Sequence, residues 1–254
     1  MNVEINNMVE IKNIRIYFAN FIVAILFANC TVPIKEAPVM LFNGTGTSPN
    51  DIEAIKNILT SNHMDFTLVN SGQLNELDTN QLRKYQLIII PGGNFIDIGK
   101  NLTKETTNNI QMAVHQGLNY LGICAGGFLA GNTKNNSFNI AKDVQFKFYS
   151  AEDKGIRKGA VAISNADGAI IEHYWEDGPQ FTGWGEVVSK YPDGTPATVQ
   201  GRHGSGWVVL TGVHPEAPEN WRSEFYFTTS MENSHKYAFS LIKSAMEKTE
   251  MPHF

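Results

Sequence analysis

The chain has 254 residues, 42% of them hydrophobic and 18% charged, the composition of an ordinary globular protein rather than a disordered one. A net charge of -5 with no basic stripe excludes the electrostatic footprint of a nucleic-acid binder. Two cysteines are too few for a disulfide framework, and no His/Cys/Asp cluster has zinc-ligand spacing, so neither a metal nor a cofactor is expected.

Residues 1–36 read as an address rather than as fold. Lys12 and Arg15 precede an apolar stretch from Ile16 to Ala28, shorter than the roughly 20 apolar residues a membrane span needs. A basic flank before a short apolar core has the form of a secretory leader, and a start at Met8 would give it a more usual length. Its end, "LFANC", resembles a bacterial lipoprotein signal, which implies acylation of Cys30, although Asn29 stands where a small residue is usual. Cleavage after Ala28, an uncleaved anchoring helix and a buried core helix stay open as alternatives. The expected location is exported, periplasmic or membrane-tethered, with a cytoplasmic protein as the alternative.

From residue 37 the pattern becomes strand, helix, strand, helix. "APVMLFN" (Ala37 to Asn43) predicts a strand, and Ser48 or Asn50 caps a helix over Asn50 to Ser61 with Pro49 in its first turn. "DFTLVN" (Asp65 to Asn70) and "YQLIIIPGG" (Tyr85 to Gly93) predict two more strands, the second apolar enough to be buried on both faces. A polar helix over Lys104 to Gln116, ended by Gly117, leads into a fourth strand over Leu118 to Ile123. The fold class is therefore α/β, a mostly parallel central sheet flanked by helices.

Between Val144 and Leu210 the apolar segments are short, and Asp167-Gly168 and Asp193-Gly194 predict hairpin turns. "GWVVLTGVHPE" returns to a buried strand ending at His214, and a helix over Asn233 to Lys248 closes a single domain over residues 37–250.

Sites in such sheets form beyond the carboxyl ends of the strands. "LGICAGGFLAG" (Leu121 to Gly131) places Cys124 at one such end, among residues small enough for a sharp strand-to-helix corner. A following helix would aim its positive N-terminus at the sulfur, which favours a thiolate nucleophile. The alternative is a buried cysteine beside helix-packing glycines. His214 falls at another strand end, and Glu216 two residues on is placed to hold an imidazole in one tautomer, as a triad carboxylate does. "PGG" offers the amides of Gly92, Gly93 or Asn94 to an oxyanion, with that of Ala125 as a second donor. Gly44 and Thr45, in "NGTGTSP", are expected to line the same cleft or to form a simple turn. Tyr174, Trp175, Phe181 and Trp184 predict either a lid or packed hairpin, while His173 and His203 lack a motif.

"IIIPGG", "YLGICAGG" and "GVHPE", in that order, resemble the class I glutamine amidotransferase-like superfamily, and with "LFNGTGTSP" they are similar to the N-terminal amidotransferase-like domain of biotin–protein ligases. The resemblance covers about Pro38 to Leu241 and implies a flavodoxin-like fold with a Cys-His-Glu triad: Cys124 as nucleophile, His214 as base and acid, Glu216 as orienter. A ligase catalytic domain has no room before Phe254, so biotinylation is not expected. Phe128 stands where glutaminases carry a substrate-holding glutamine, and Val213 precedes the histidine where they have "QFHPE". Both departures argue against glutamine as substrate. The expected function is a cysteine-dependent hydrolase of a small-molecule amide or other acyl substrate. A non-catalytic binding or regulatory module of the same fold is the alternative; a peptidase- or deglycase-like protein is disfavoured by the "HPE" spacing. The sequence leaves the oligomeric state open.

Overall fold

The protein is described from a computed structural model, over residues 37–150 and 152–254. The expected leader and Cys30 lie outside the described residues.

Short, mainly apolar runs can be buried on both faces, and they form the middle of the sheet. These are β1 (Val39–Phe42), β3 (Leu87–Ile90) and β4 (Asn119–Ile123), with β2 (Phe66–Val69) outside β1. The chain continues through β5 (Lys147–Phe148), β6 (Lys158–Asn165), β7 (Ile170–Glu176), β8 (Pro179–Gln180), β9 (Glu186–Lys190), β10 (Pro196–His203) and β11 (Gly206–Thr211). Among the described residues nine strands share one sheet in the order β2-β1-β3-β4-β11-β10-β9-β6-β7, and β5 pairs with β8 apart from it. The pairs from β2 to β11 are parallel. From β11 onward every pair is antiparallel. The sheet is thus parallel where helices connect strands and antiparallel where hairpins do, with Gly168 and Gly194 at positive φ in the two expected turns.

Helices cover both faces. The helix α1 (Pro49–Ser61) is capped by Ser48, whose side chain accepts from the Asp51 amide at 3.3 Å. It buries Ile55, Ile58 and Leu59 in the cluster that also holds Leu241 and Ile242 of the last helix. Between strands lie α2 (Ser71–Asn75), α3 (Thr79–Leu82), α4 (Phe95–Lys100), α5 (Lys104–His115) and α6 (Ala125–Ala130), and the chain ends with α7 (Glu219–Arg222) and α8 (Met231–Glu247). On the opposite face Ile110 and Val114 of α5 pack with Phe128 and Leu129 of α6.

The expected helices shift by a residue or two: α1 begins at Pro49, and α8 begins at Met231 behind its cap Ser230. The strand expected to reach His214 ends at Thr211. His214 is held instead by a single bridge, its amide donating to the Tyr174 carbonyl at 2.7 Å. Four helices, α2, α3, α4 and α7, occupy stretches to which the sequence assigned no element. They are one or two turns long, the first three held by side-chain caps with capping boxes at Asn70 and Asp78, so they carry no apolar periodicity to read.

Candidate active site

The strand β4 runs directly into Cys124, which adopts φ 47° and ψ -99°, a conformation that costs an L-residue on the order of 1–3 kcal/mol. The corner is tight because α6 folds back on the sheet at once: a Cβ on Gly126 would collide with the Ile90 carbonyl. Cys124 anchors the corner at both ends, its amide donating to Thr211 at 2.8 Å and its carbonyl accepting from Phe128 at 3.1 Å. The thiol is buried, and it donates to the Glu176 carbonyl at 3.6 Å. Ala125 is the first residue of α6, so its amide is one of the donors that a helix N-terminus leaves unpaired by its own turns.

Cys124, Gly93, Asn94 and His214 line one cavity of about 480 Å³, together with Asp51, Phe128 and Trp221. The imidazole is buried and meets the Trp221 ring edge-on at 5.6 Å. Its Nδ1 lies 2.9 Å from Glu216 Oε1, as the Cys-His-Glu pattern implies. It also lies 3.1 Å from Asp51 Oδ1, a partner that the sequence reading missed. Gly92 makes room for this pair, since a Cβ there would lie 2.6 Å from His214 Cε1 and 2.7 Å from Asp51 Oδ2.

Two carboxyls on one buried imidazole divide the charge unequally. Burial pushes Glu216 up to about 8, against the charge of His214, with the Asp51 carboxylate adding to the rise. Burial acts on Asp51 in the same direction, but the His214 charge and hydrogen bonds from His214, Glu216 and Ser48 outweigh it and hold that carboxyl below its usual range. His214 is raised well above an ordinary imidazole: burial opposes its charge, and Asp51, Cys124 and Glu216 together overcome that opposition. These directions favour the negative charge on Asp51, the positive charge on His214 and the retained proton on Glu216. One ligand atom from each of the three lies within 4.8 Å of the others, a donor set able to hold a divalent cation if the ring proton were displaced.

Two expectations for the loops are corrected. The Asn94 amide is not open to an oxyanion, because it donates to the Gly46 carbonyl at 2.8 Å while the Asn94 side chain caps α4. Gly44 and Thr45 face α2 instead of the cavity: the Thr45 amide donates to Ser71 Oγ at 3.0 Å, and a Cβ on Gly44 would meet Phe42 and Ser71. Residues of the same turn that do reach the cavity are Ser48 and Asp51. A signal for Asp51 existed, since helical spacing puts it on the apolar face of Ile55 and Ile58, where a carboxylate needs a partner.

Of the hairpin aromatics, Trp175 and Phe181 are wholly buried packing residues, and Tyr174 packs between His214 and Trp221. His173 is buried against Ser234 Oγ at 2.7 Å, and His203 rests edge-on to His115.

Among known proteins, the chain is 25% identical over 159 residues to a biotin–protein ligase of Schizosaccharomyces pombe, a match covering 51% of this chain and 25% of that one. In structure it is similar to a glutamine amidotransferase, with a TM-score of 0.55 and 19% identity over 81% of this chain and 99% of that one. It is also similar to a chain in the structure of PurLQS from Thermotoga maritima, with a TM-score of 0.54 and 17% identity over 84% of this chain and 100% of that one. The fold is that of the glutamine amidotransferases. A family model described as "Biotin-protein ligase, N terminal" matches residues 37–169, more than half of the chain, and the chain belongs to that family.

Proposed function

We propose that the protein is a cysteine-dependent hydrolase of an amide or related acyl compound. The observation that carries this reading is the strained cysteine at the head of α6, sharing a cavity with a histidine whose Nδ1 is held by buried carboxyls. With Nδ1 so engaged, Nε2 is the nitrogen left to exchange a proton with the thiol.

The Cys124 thiolate, paired with the His214 imidazolium that holds its proton, attacks the acyl carbon. The oxyanion forms beside the amides of Ala125 and Gly93, and the C–N bond breaks as the imidazolium protonates the departing amine. Water, deprotonated by the imidazole, then attacks the thioester. The C–S bond breaks, releasing the acid and restoring the thiolate–imidazolium pair. The Asp51 carboxylate supplies the counter-charge throughout, and Glu216 orients the ring as a neutral acid.

The second reading is a binding module without turnover, favoured by the thiol's contact with the Glu176 carbonyl. Intact-mass analysis after exposure to a panel of acyl esters and amides separates the two. The hydrolase reading predicts a transient acyl adduct on the wild-type protein that is lost in Cys124→Ala. Substrate turnover undiminished in Cys124→Ala would contradict it.

A further inference from the structure

We infer that the site takes an aromatic acyl group, in an amide whose acyl part carries no free carboxylate. This deepens the hydrolase reading and rests on Cys124 as the nucleophile. The observation is a wall of three phenylalanine rings beside the thiol. Phe128 lies one helical turn beyond Cys124, and its ring stacks on Phe95 with centroids 4.6 Å apart and planes 25° apart. Phe148, from β5, leans on both, at 4.8 Å from Phe128 and 6.4 Å from Phe95. All three line the cavity that holds Cys124 and His214.

These rings come from three separate segments, and each has a different reason to be there. Phe95 begins α4 after the "PGG" turn, Phe128 belongs to α6, and Phe148 stands 38% exposed on a two-residue strand. Phe148 is one of the large apolar side chains still open to solvent, and its open face is the one an apolar ligand would cover. Aromatic ligands favour such surroundings through offset and edge contacts at centroid separations of about 4.5–7 Å. The cavity of about 480 Å³ is in the size range of small-molecule sites.

The polar side of the cavity reinforces the choice. Its one lining guanidinium, Arg157, is already paired with Asp177 and, at 3.1 Å, with Glu152. Glu176 adds a further carboxylate, receiving the Tyr174 hydroxyl at 2.7 Å. A ligand with its own free carboxylate, as a γ-glutamyl group has, finds Arg157 already shared between two carboxylates and Glu176 and Asp177 on the same wall. A neutral aromatic acyl group meets neither conflict.

Three p-nitroanilides with one leaving group test this: phenylacetyl, acetyl and γ-glutamyl. Burying a phenyl ring against the wall predicts kcat/KM for phenylacetyl at least about tenfold above both others, and Phe148→Ala brings the phenylacetyl-to-acetyl ratio toward unity. Calorimetry on Cys124→Ala gives a readout without turnover, in which phenylacetamide binds tighter than glutamine by a similar factor. Cys124-dependent turnover that favours γ-glutamyl, or an acyl ratio unmoved in Phe148→Ala, overturns the aromatic class and leaves the hydrolase reading intact. Absence of Cys124-dependent turnover for any acyl compound defeats the hydrolase reading, and glutamine binding as tightly as phenylacetamide then defeats the aromatic class as well.

Discussion

At the scale of single residues, the site turns on which carboxyl carries the charge beside His214. Asp51 is depressed and Glu216 raised, so the two are not equivalent although both reach Nδ1. Glu216→Gln is therefore expected to reduce kcat/KM by less than about threefold, and Asp51→Asn by about tenfold or more, with Glu216 ionising to compensate in part. Removing both leaves the imidazolium without a counter-ion, and a loss of about 10³–10⁴ is expected, beyond the product of the single losses. Steady-state rates of the three variants check this. Glu216 also has a stability signature. It stays protonated in the folded protein up to about 8, while the unfolded chain releases that proton near 4.5. The wild type must then lose stability relative to Glu216→Gln as pH rises from 4.5 to 8, and the difference is constant outside that window. Melting temperatures of the two proteins across this range provide the measurement.

At the scale of elements, the β4–α6 corner and the β7–α8 packing each make a prediction. The backbone at Cys124 lies where glycine is comfortable and alanine is not. Cys124→Gly should be more stable than Cys124→Ala by about 1 kcal/mol, the reverse of their order in a helix; chemical denaturation decides it. In the second element pair, burial first, then the charge of Arg222, lowers His173 to about 3, against an unfolded value near 6.5. The stability this neutral ring contributes is whole above pH 6.5 and is lost as pH falls toward 3. On acidification from pH 6.5 to 5 the melting temperature of the wild type should therefore fall relative to that of His173→Asn, the opposing contribution of Glu216 being common to both proteins. Much of this level was readable beforehand. The apolar runs of β1, β3 and β4 and the glycine turns of the hairpins each follow from local chemistry. The single-turn helices α2, α3 and α7 do not, because caps and tertiary contacts rather than periodicity hold them.

At the scale of the whole molecule, the site joins residues from α1, the β4–α6 corner and the segment after β11, which the strand order β1-β3-β4-β11 brings to one end of the sheet. Cys124 and His214 were legible because each closes an apolar strand segment, and Glu216 because it follows His214 within "HPE". Asp51 offered only a local signal, a carboxylate on the apolar face of α1, because its partner lies 163 residues away and no local pattern records that distance. The same limit explains the misassigned loop donors: the sequence cannot tell that the Asn94 amide bonds to Gly46 or that Thr45 turns to Ser71. The matched family segment ends at residue 169, so His214 and Glu216 lie outside it. The most direct measurement is the rate at which iodoacetamide alkylates Cys124 at pH 7, in the wild type and in His214→Gln. A histidine acting on the thiol predicts a rate at least about tenfold higher in the wild type; equal rates in the two proteins would contradict the account.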